Sequence, residues 1–240
     1  MAKFDDIIPL IKRHEGGLTG DPRDISAAAN PSPCGIDKKF NKPYHTNKGV
    51  TYATFKSNAG ALGYEANCDN FLKMPDDIWL KIFKNGYWNP MGLDNLNSKG
   101  ISFLLVDFAW GSGVGGTKSW LTGFLKRNYN IDAADTTTRV NSLNNLIAKN
   151  ESELVDKLYN DRLAHLKSLR GGTLWNTYGK GWSRRLDELK NIATSGLTKI
   201  TETAKAAKEV VKKNPFKIAA LTIAVGLTVY VGYKLIVKNK

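Results

Sequence analysis

Arg13-His14-Glu15-Gly16-Gly17, with Asp21-Pro22-Arg23-Asp24 close behind it, is the stretch that decides how the chain reads. Phe4, Ile7, Ile8 and Ile11 recur at helical spacing, which predicts an amphipathic helix over residues 4–14. Pro9 removes a backbone donor, so this helix is either kinked or begins near Asp5 with Pro9 in its first turn. Gly16 and Gly17 are expected to stop it in the left-handed conformation, which leaves Glu15 on the last turn. The C-terminal end of a helix carries partial negative charge and pushes a carboxyl pKa upward, the property a general acid needs. Asp24 follows after eight intervening residues, in a polar turn where it is expected to be ionised. Two carboxyls in unlike surroundings are the usual pair for cleaving a glycosidic bond. Spacing alone favours a plainer reading, a surface glutamate before a glycine turn and a turn aspartate.

Residues 18–50 carry Pro22, Pro31, Pro33 and Pro43 with Gly20, Gly35 and Gly49, too many breakers for a helix. They predict a long irregular loop with room for short strands. Thr51 suits the cap of a helix running to about Ala59, and Pro75-Asp76-Asp77 opens another that carries Ile78, Trp79, Ile82 and Phe83 on one side. Residues 100–110 are apolar apart from Ser102 and Asp107, which predicts the central buried helix. Asp107 then reads either as a cleft residue orienting Glu15 or touching substrate, or as a satisfied core aspartate. Gly111, Gly113, Gly115 and Gly116 precede Thr117, a cap for a helix holding Trp120, Leu121, Phe124 and Leu125. No strand precedes these glycines and no Lys-Ser/Thr pair follows at the right position, Lys118-Ser119 coming one residue late, which argues against a nucleotide loop. Val140, Leu143 and Ile147, then Leu154, Val155, Leu158, Tyr159, Leu163 and Leu166, predict two further amphipathic helices. Trp88, Trp110, Trp175 and Trp182 offer flat indole faces for stacking on sugar rings, Trp110 first because it stands beside Asp107 and the glycine turn.

The chain has 240 residues, 42% of them hydrophobic, and a net charge of +13. That is enough for one well-buried domain plus an appendage and excludes disorder for most of the length. Nine lysines against two glutamates give residues 191–240 a net charge of +7, about half the basic excess. A basic surface suits nucleic acid, anionic lipid or an acidic wall polymer, and no nucleic-acid motif supports the first. Cys34 and Cys68 lack metal-ligand spacing, and no metal or cofactor is expected. Met1-Ala2-Lys3 leads straight into the first helix without a signal peptide, so the thiols are expected reduced at synthesis, with a Cys34–Cys68 disulfide as the alternative in an oxidising periplasm.

From Ser183 the pattern thins. Leu186, Leu189, Ala193, Leu197, Ile200, Ala204, Ala207 and Val211 predict one long helix over residues 183–213. Lys212-Lys213-Asn214-Pro215 then punctuates, and Ile218 to Tyr233 is an uncharged run of 16 residues flanked by Lys217 and Lys234. With those lysines snorkelling, residues 216–237 are long enough to cross a membrane.

The chain resembles the phage and bacterial N-acetylmuramidases of glycoside hydrolase family 108. Glu15-Gly16-Gly17 matches the family's Glu-Gly-Gly, Asp21-Pro22-Arg23-Asp24 its Asp-Pro-x-Asp, and Thr46-Asn47-Lys48-Gly49-Val50-Thr51 its Thr-Asn-x-Gly-Ile-Thr. Tyr87-Trp88, Asp107 to Gly113 and Gly181 to Arg185 follow in the family's order. The resemblance implies a mainly α, lysozyme-like helical domain with a long irregular active-site loop. Its regions would be a catalytic region over 1–112, a helical peptidoglycan-binding half over 113–190, a basic helical linker over 191–214 and a membrane helix with basic tail over 215–240. It implies Glu15 as catalytic acid, Asp24 and Thr46 as its partners, and Asp107, Trp110, Tyr87 and Trp88 as substrate contacts. Two departures stand out: Thr46 lies 22 positions after Asp24, where the family has about half a dozen, and Gly111 replaces a frequent asparagine. The implied activity is hydrolysis of peptidoglycan between N-acetylmuramic acid and N-acetylglucosamine. The implied setting is a phage virion or the host inner membrane, acting on the periplasmic wall, with self-association or a phage protein as partner of the tail helices. The rival expectations are a lytic transglycosylase and an inactive wall-binding or virion structural protein on the same fold.

Overall fold

The computed structural model describes residues 3–24 and 28–213, with side chains described as far as residue 195. The chain divides after Ala193 into two units, Met1–Ala193 and Thr194–Lys240, and the site lies in the first. The proposed membrane segment, 216–237, falls outside the described residues; among those described, no helix is long and apolar enough to cross a membrane.

A short 3-10 turn, Phe4–Asp6, leads into helix α1, Ile8–His14, with Pro9 in its first turn as its missing N–H requires. The stop differs from expectation. Glu15 caps α1 with an extended backbone (φ −91°, ψ 132°), and neither Gly16 nor Gly17 has a positive φ. The helix therefore ends because the chain at Glu15 turns outward, not through a left-handed glycine.

Two small antiparallel ribbons follow, β1 (Ile36–Asp37) with β2 (Lys42–Pro43), and β3 (Thr46–Asn47) with β4 (Val50–Thr51). Lys48 (φ 50°) and Gly49 (φ 76°) close the second ribbon, both left-handed, the geometry of the two-residue turn that matches strand twist. Cys34 and Cys68 are joined in a disulfide, which corrects the expectation of free thiols. Folding of the ribbons brings together two cysteines 34 positions apart, a proximity that linear spacing does not reveal.

The remainder is helical. Thr51 caps α2 (Tyr52–Ala59) by accepting the Thr54 N–H at 3.1 Å, α3 spans Cys68–Leu72, and Pro75 precedes α4 (Asp76–Phe83), which buries Ile78, Trp79, Ile82 and Phe83. The centre is α5 (Lys99–Ser112), capped by Ser98, in which every residue from Gly100 to Ala109 is buried. Each of its Leu, Ile and Phe side chains contributes roughly 1.5–3 kcal/mol by burial. A Cβ on Gly100 would lie 2.4 Å from the Ala193 Cα, so the last helix crosses α5 at backbone contact. Helix α6 (Val114–Tyr129) begins at Gly113 (φ 77°), earlier than a Thr117 cap would allow; Thr117 is buried inside it, its hydroxyl donating to the Gly113 carbonyl. Helix α7 (Thr136–Ser168) breaks at Asn150 (φ −161°, ψ 90°) into the two expected segments, and α8 spans Thr173–Lys213.

Candidate active site

Glu15 sits where α1, α5, α8 and the tip of the β3–β4 ribbon converge. Its Oε1 accepts the Trp110 Nε1–H at 2.7 Å and lies 3.3 and 3.4 Å from Arg185 Nη1 and Nη2. Arg185 Nε donates to Asp107 Oδ1 at 2.5 Å, and Arg162 Nη2 donates to the other Asp107 oxygen at 2.6 Å. Asp107 and Trp110 are three residues apart on α5, so one helical face carries the indole that meets Glu15 and the carboxylate that fixes Arg185.

The electrostatics follow from burial. Removal from water pushes the Glu15 carboxyl above its ordinary range, with the Asp107 charge adding to it; the Arg185 charge and the bonds from Trp110 and Arg185 offset this only in part. For Asp107 burial acts the same way, but two guanidiniums outweigh it and hold the carboxyl below its ordinary value. Asp107 thus stays charged while Glu15 is biased toward its protonated form.

The ribbon tip covers the carboxyl. A Cβ on Gly49 would fall 2.1 Å from Glu15 Oε2 and 2.8 Å from the Trp110 ring, so only glycine fits there. The tip is latched by Trp79 Nε1 donating to the Lys48 carbonyl at 2.8 Å, and by Lys48 Nζ donating to the Met74 carbonyl at 2.9 Å and Asp76 at 2.6 Å. The same Asp76 takes Lys12 at 2.5 Å, and the two lysines lower its pKa to about 2. Glu15 with Gly16, Lys12, Lys48, Asp76 and Trp79 lines an open cavity of about 220 Å³. Nothing lies within 4 Å of a Cβ built on Gly16, which lines the cavity without a side chain to occupy it.

Asp24 lines a different cavity, of about 780 Å³, together with Gly111, Ser112, Arg170, Tyr178 and Trp182 among others. Its turn is pinned from both sides: His45 Nε2 donates to the Asp21 carbonyl at 2.9 Å, and the Tyr178 hydroxyl donates to the Arg23 carbonyl. The linings of the two cavities share no residue; in the chain Gly111 follows Trp110 directly and Trp182 precedes Arg185 by three positions.

The expected site residues therefore separate. Glu15, Trp110 and Asp107 come together, Asp107 acting through Arg185 and offering no surface to a ligand at 2% exposure. Tyr87, on the π-helical turn Lys84–Trp88, packs edge-on against Trp110 with ring centres 4.7 Å apart. Trp88 is corrected to a core residue: it is fully buried, meets Phe4 and donates to Asp94 at 2.7 Å. Thr46 is also corrected. It is buried in β3, bridged through its backbone to Thr19, and among the described residues it lines neither cavity. Arg162 and Arg185 received no role from the sequence. Arg162 had a signal, since it interrupts the four-residue ladder Leu154, Leu158, Arg162, Leu166, and a cation on a buried stripe demands a buried counter-charge.

Among the described residues no group of three or more His, Cys, Asp or Glu side chains is set to hold a metal ion. Comparison with known proteins supplies the frame. Residues 8–113 match the family model Glycosyl hydrolase 108. No curated protein matches the sequence. Among solved structures the chain is similar to Brucella abortus SagA, with a TM-score of 0.55 and 22% identity over 80% of this chain and 94% of that one, a likeness of fold. Glu15, the ribbon above it and the buried helix carrying Asp107 and Trp110 all fall within the stretch that matches the glycosyl hydrolase 108 family.

Proposed function

We propose that the protein is a peptidoglycan hydrolase of the N-acetylmuramidase type, cleaving the β-1,4 bond between N-acetylmuramic acid and N-acetylglucosamine. The observation that carries this is the state of Glu15: a carboxyl with a raised pKa at a cavity mouth, whose Oε1 is taken by Trp110 and Arg185. The acid proton then belongs on Oε2, beneath Gly49. It passes to the glycosidic oxygen as the bond to the anomeric carbon breaks. Trp110 and Arg185 stabilise the carboxylate that remains. Asp24, which lines the larger cavity, is the carboxylate assigned to activating water or stabilising the oxocarbenium-like state.

One observation favours a second reading. Because Asp24 lines a separate cavity from Glu15, a lytic transglycosylase, which needs only one catalytic carboxyl, fits the same geometry. Mass analysis of the products tests both: a reducing muramic acid end supports hydrolysis, and a 1,6-anhydro end, lighter by one water, overturns it.

The uncharged run from Ile218 to Tyr233 supports a membrane tether for residues 216–237. The Cys34–Cys68 disulfide fits an oxidising compartment and hence action on the periplasmic wall, from a phage virion or the host inner membrane. Carbonate extraction of membranes tests the tether: retention in the pellet supports it and release refutes it.

A further inference from the structure

The turn between α7 and α8 holds three successive left-handed residues, Arg170 (φ 49°, ψ 46°), Gly171 (φ 63°) and Gly172 (φ 88°). Glycine adopts this freely, whereas arginine is strained by it, and such strain persists where the side chain's direction matters. Arg170 lines the 780 Å³ cavity. Its neighbours there are already engaged: Arg23 is bound to Asp21 through Nε at 2.9 and 3.0 Å, and His165 lies edge-on to Phe108 with ring centres 5.3 Å apart. Among the described residues the Arg170 guanidinium has no hydrogen bond or ion pair. Beside it Tyr178 and Trp182 stack, with ring centres 5.6 Å apart and planes 27° from parallel, and both line the same cavity. On Gly111 and Gly116, also in the lining, a Cβ would meet nothing within 4 Å, so space for a ligand remains. An aromatic wall next to an uncommitted guanidinium suits a sugar ring that carries a carboxylate.

Resting on the wall-hydrolase reading above, we propose that Arg170 is a specificity-determining residue. It pairs with a carboxylate on the glycan's lactyl or peptide substituents and so selects anionic, stem-bearing strands over uncharged N-acetylglucosamine polymer.

The test uses the full chain on intact peptidoglycan, on the same wall with its carboxylates amidated by carbodiimide and methylamine, and on chitin oligosaccharides. Arg170→Asn removes the charge with a residue that tolerates the left-handed backbone, and Arg170→Lys retains it. Arg170→Asn is expected to raise KM on intact wall roughly tenfold with kcat within about twofold. On amidated wall and chitin it should match the parent protein, and Arg170→Lys should recover most of the loss. An unchanged KM on intact wall, or an equal loss on intact and amidated wall, overturns the proposal. Should no wall be cleaved at all, the parent reading fails separately, and co-sedimentation with intact against amidated wall still reads Arg170. Binding abolished by hydrofluoric acid stripping of phosphodiester polymers, and untouched by amidation, would also overturn it.

Discussion

Asp107 and Trp110 stand one helical turn apart on α5, and both act on Glu15: Trp110 directly at 2.7 Å, Asp107 through Arg185, whose Nε it holds at 2.5 Å. The acid is thus positioned by a buried helix rather than by the loop beside it. Removing either support should move the same titration. Trp110→Phe keeps the ring against Phe83 and Tyr87 but deletes a bond that lowers the Glu15 pKa, so the alkaline limb of the kcat profile shifts up and kcat falls about tenfold. Arg185→Met should shift the limb further, because its charge is the larger lowering influence. It also leaves Asp107 with Arg162 alone, costing about 2–4 kcal/mol in chemical unfolding.

Gly49 and Gly16 both adjoin the carboxyl, yet they predict opposite outcomes. At Gly49 an alanine Cβ collides with Glu15 Oε2 and must adopt φ 76°, whereas at Gly16 it meets nothing within 4 Å. Gly49→Ala should cost about 2–4 kcal/mol and abolish turnover; Gly16→Ala should leave the unfolding midpoint within experimental error. Equal midpoints for the two variants would show that the ribbon tip does not press on the acid.

Burial raises the folded pKa of Glu15 above its unfolded value of about 4.5, so ionising it opposes folding. The stability linked to the protonated form is complete below that unfolded value and is lost as pH rises through the raised folded value. Glu15→Gln, which cannot ionise, should therefore have a higher Tm than the parent protein at neutral pH. The gap should close as the pH falls below about 4.5. A gap independent of pH would contradict the raised pKa.

The disulfide closes a loop with a sequence separation of 34. Chain-entropy arithmetic assigns about 4 kcal/mol to such a link. Cys34→Ser with Cys68→Ser should lower unfolding stability by an amount of that order, measured against the oxidised parent, and reduction of the parent should reproduce it.

Helix caps and buried faces were legible because they depend on near neighbours: Pro9 in the first turn of α1, Thr51 capping α2, and the apolar run that became α5. What escaped depends on distant ones. Gly16 and Gly17 looked like a left-handed stop, but neither has a positive φ, and Gly16 lines an open cavity that α4 and the ribbon complete. Trp88 read as a sugar platform until Phe4 and Asp94 enclosed it. Arg185 lies 170 positions from Glu15, and no periodicity links them. Asp24 was expected to be the partner of Glu15; the Tyr178 and His45 bonds hold its turn at a different cavity instead.

The most direct measurement is clearing of a peptidoglycan suspension by the full chain carrying Glu15→Gln. The account predicts a fall in rate of about 10²–10⁴, the usual worth of a positioned general acid, with wall binding and the folded state retained. Clearing at the parent rate would contradict it.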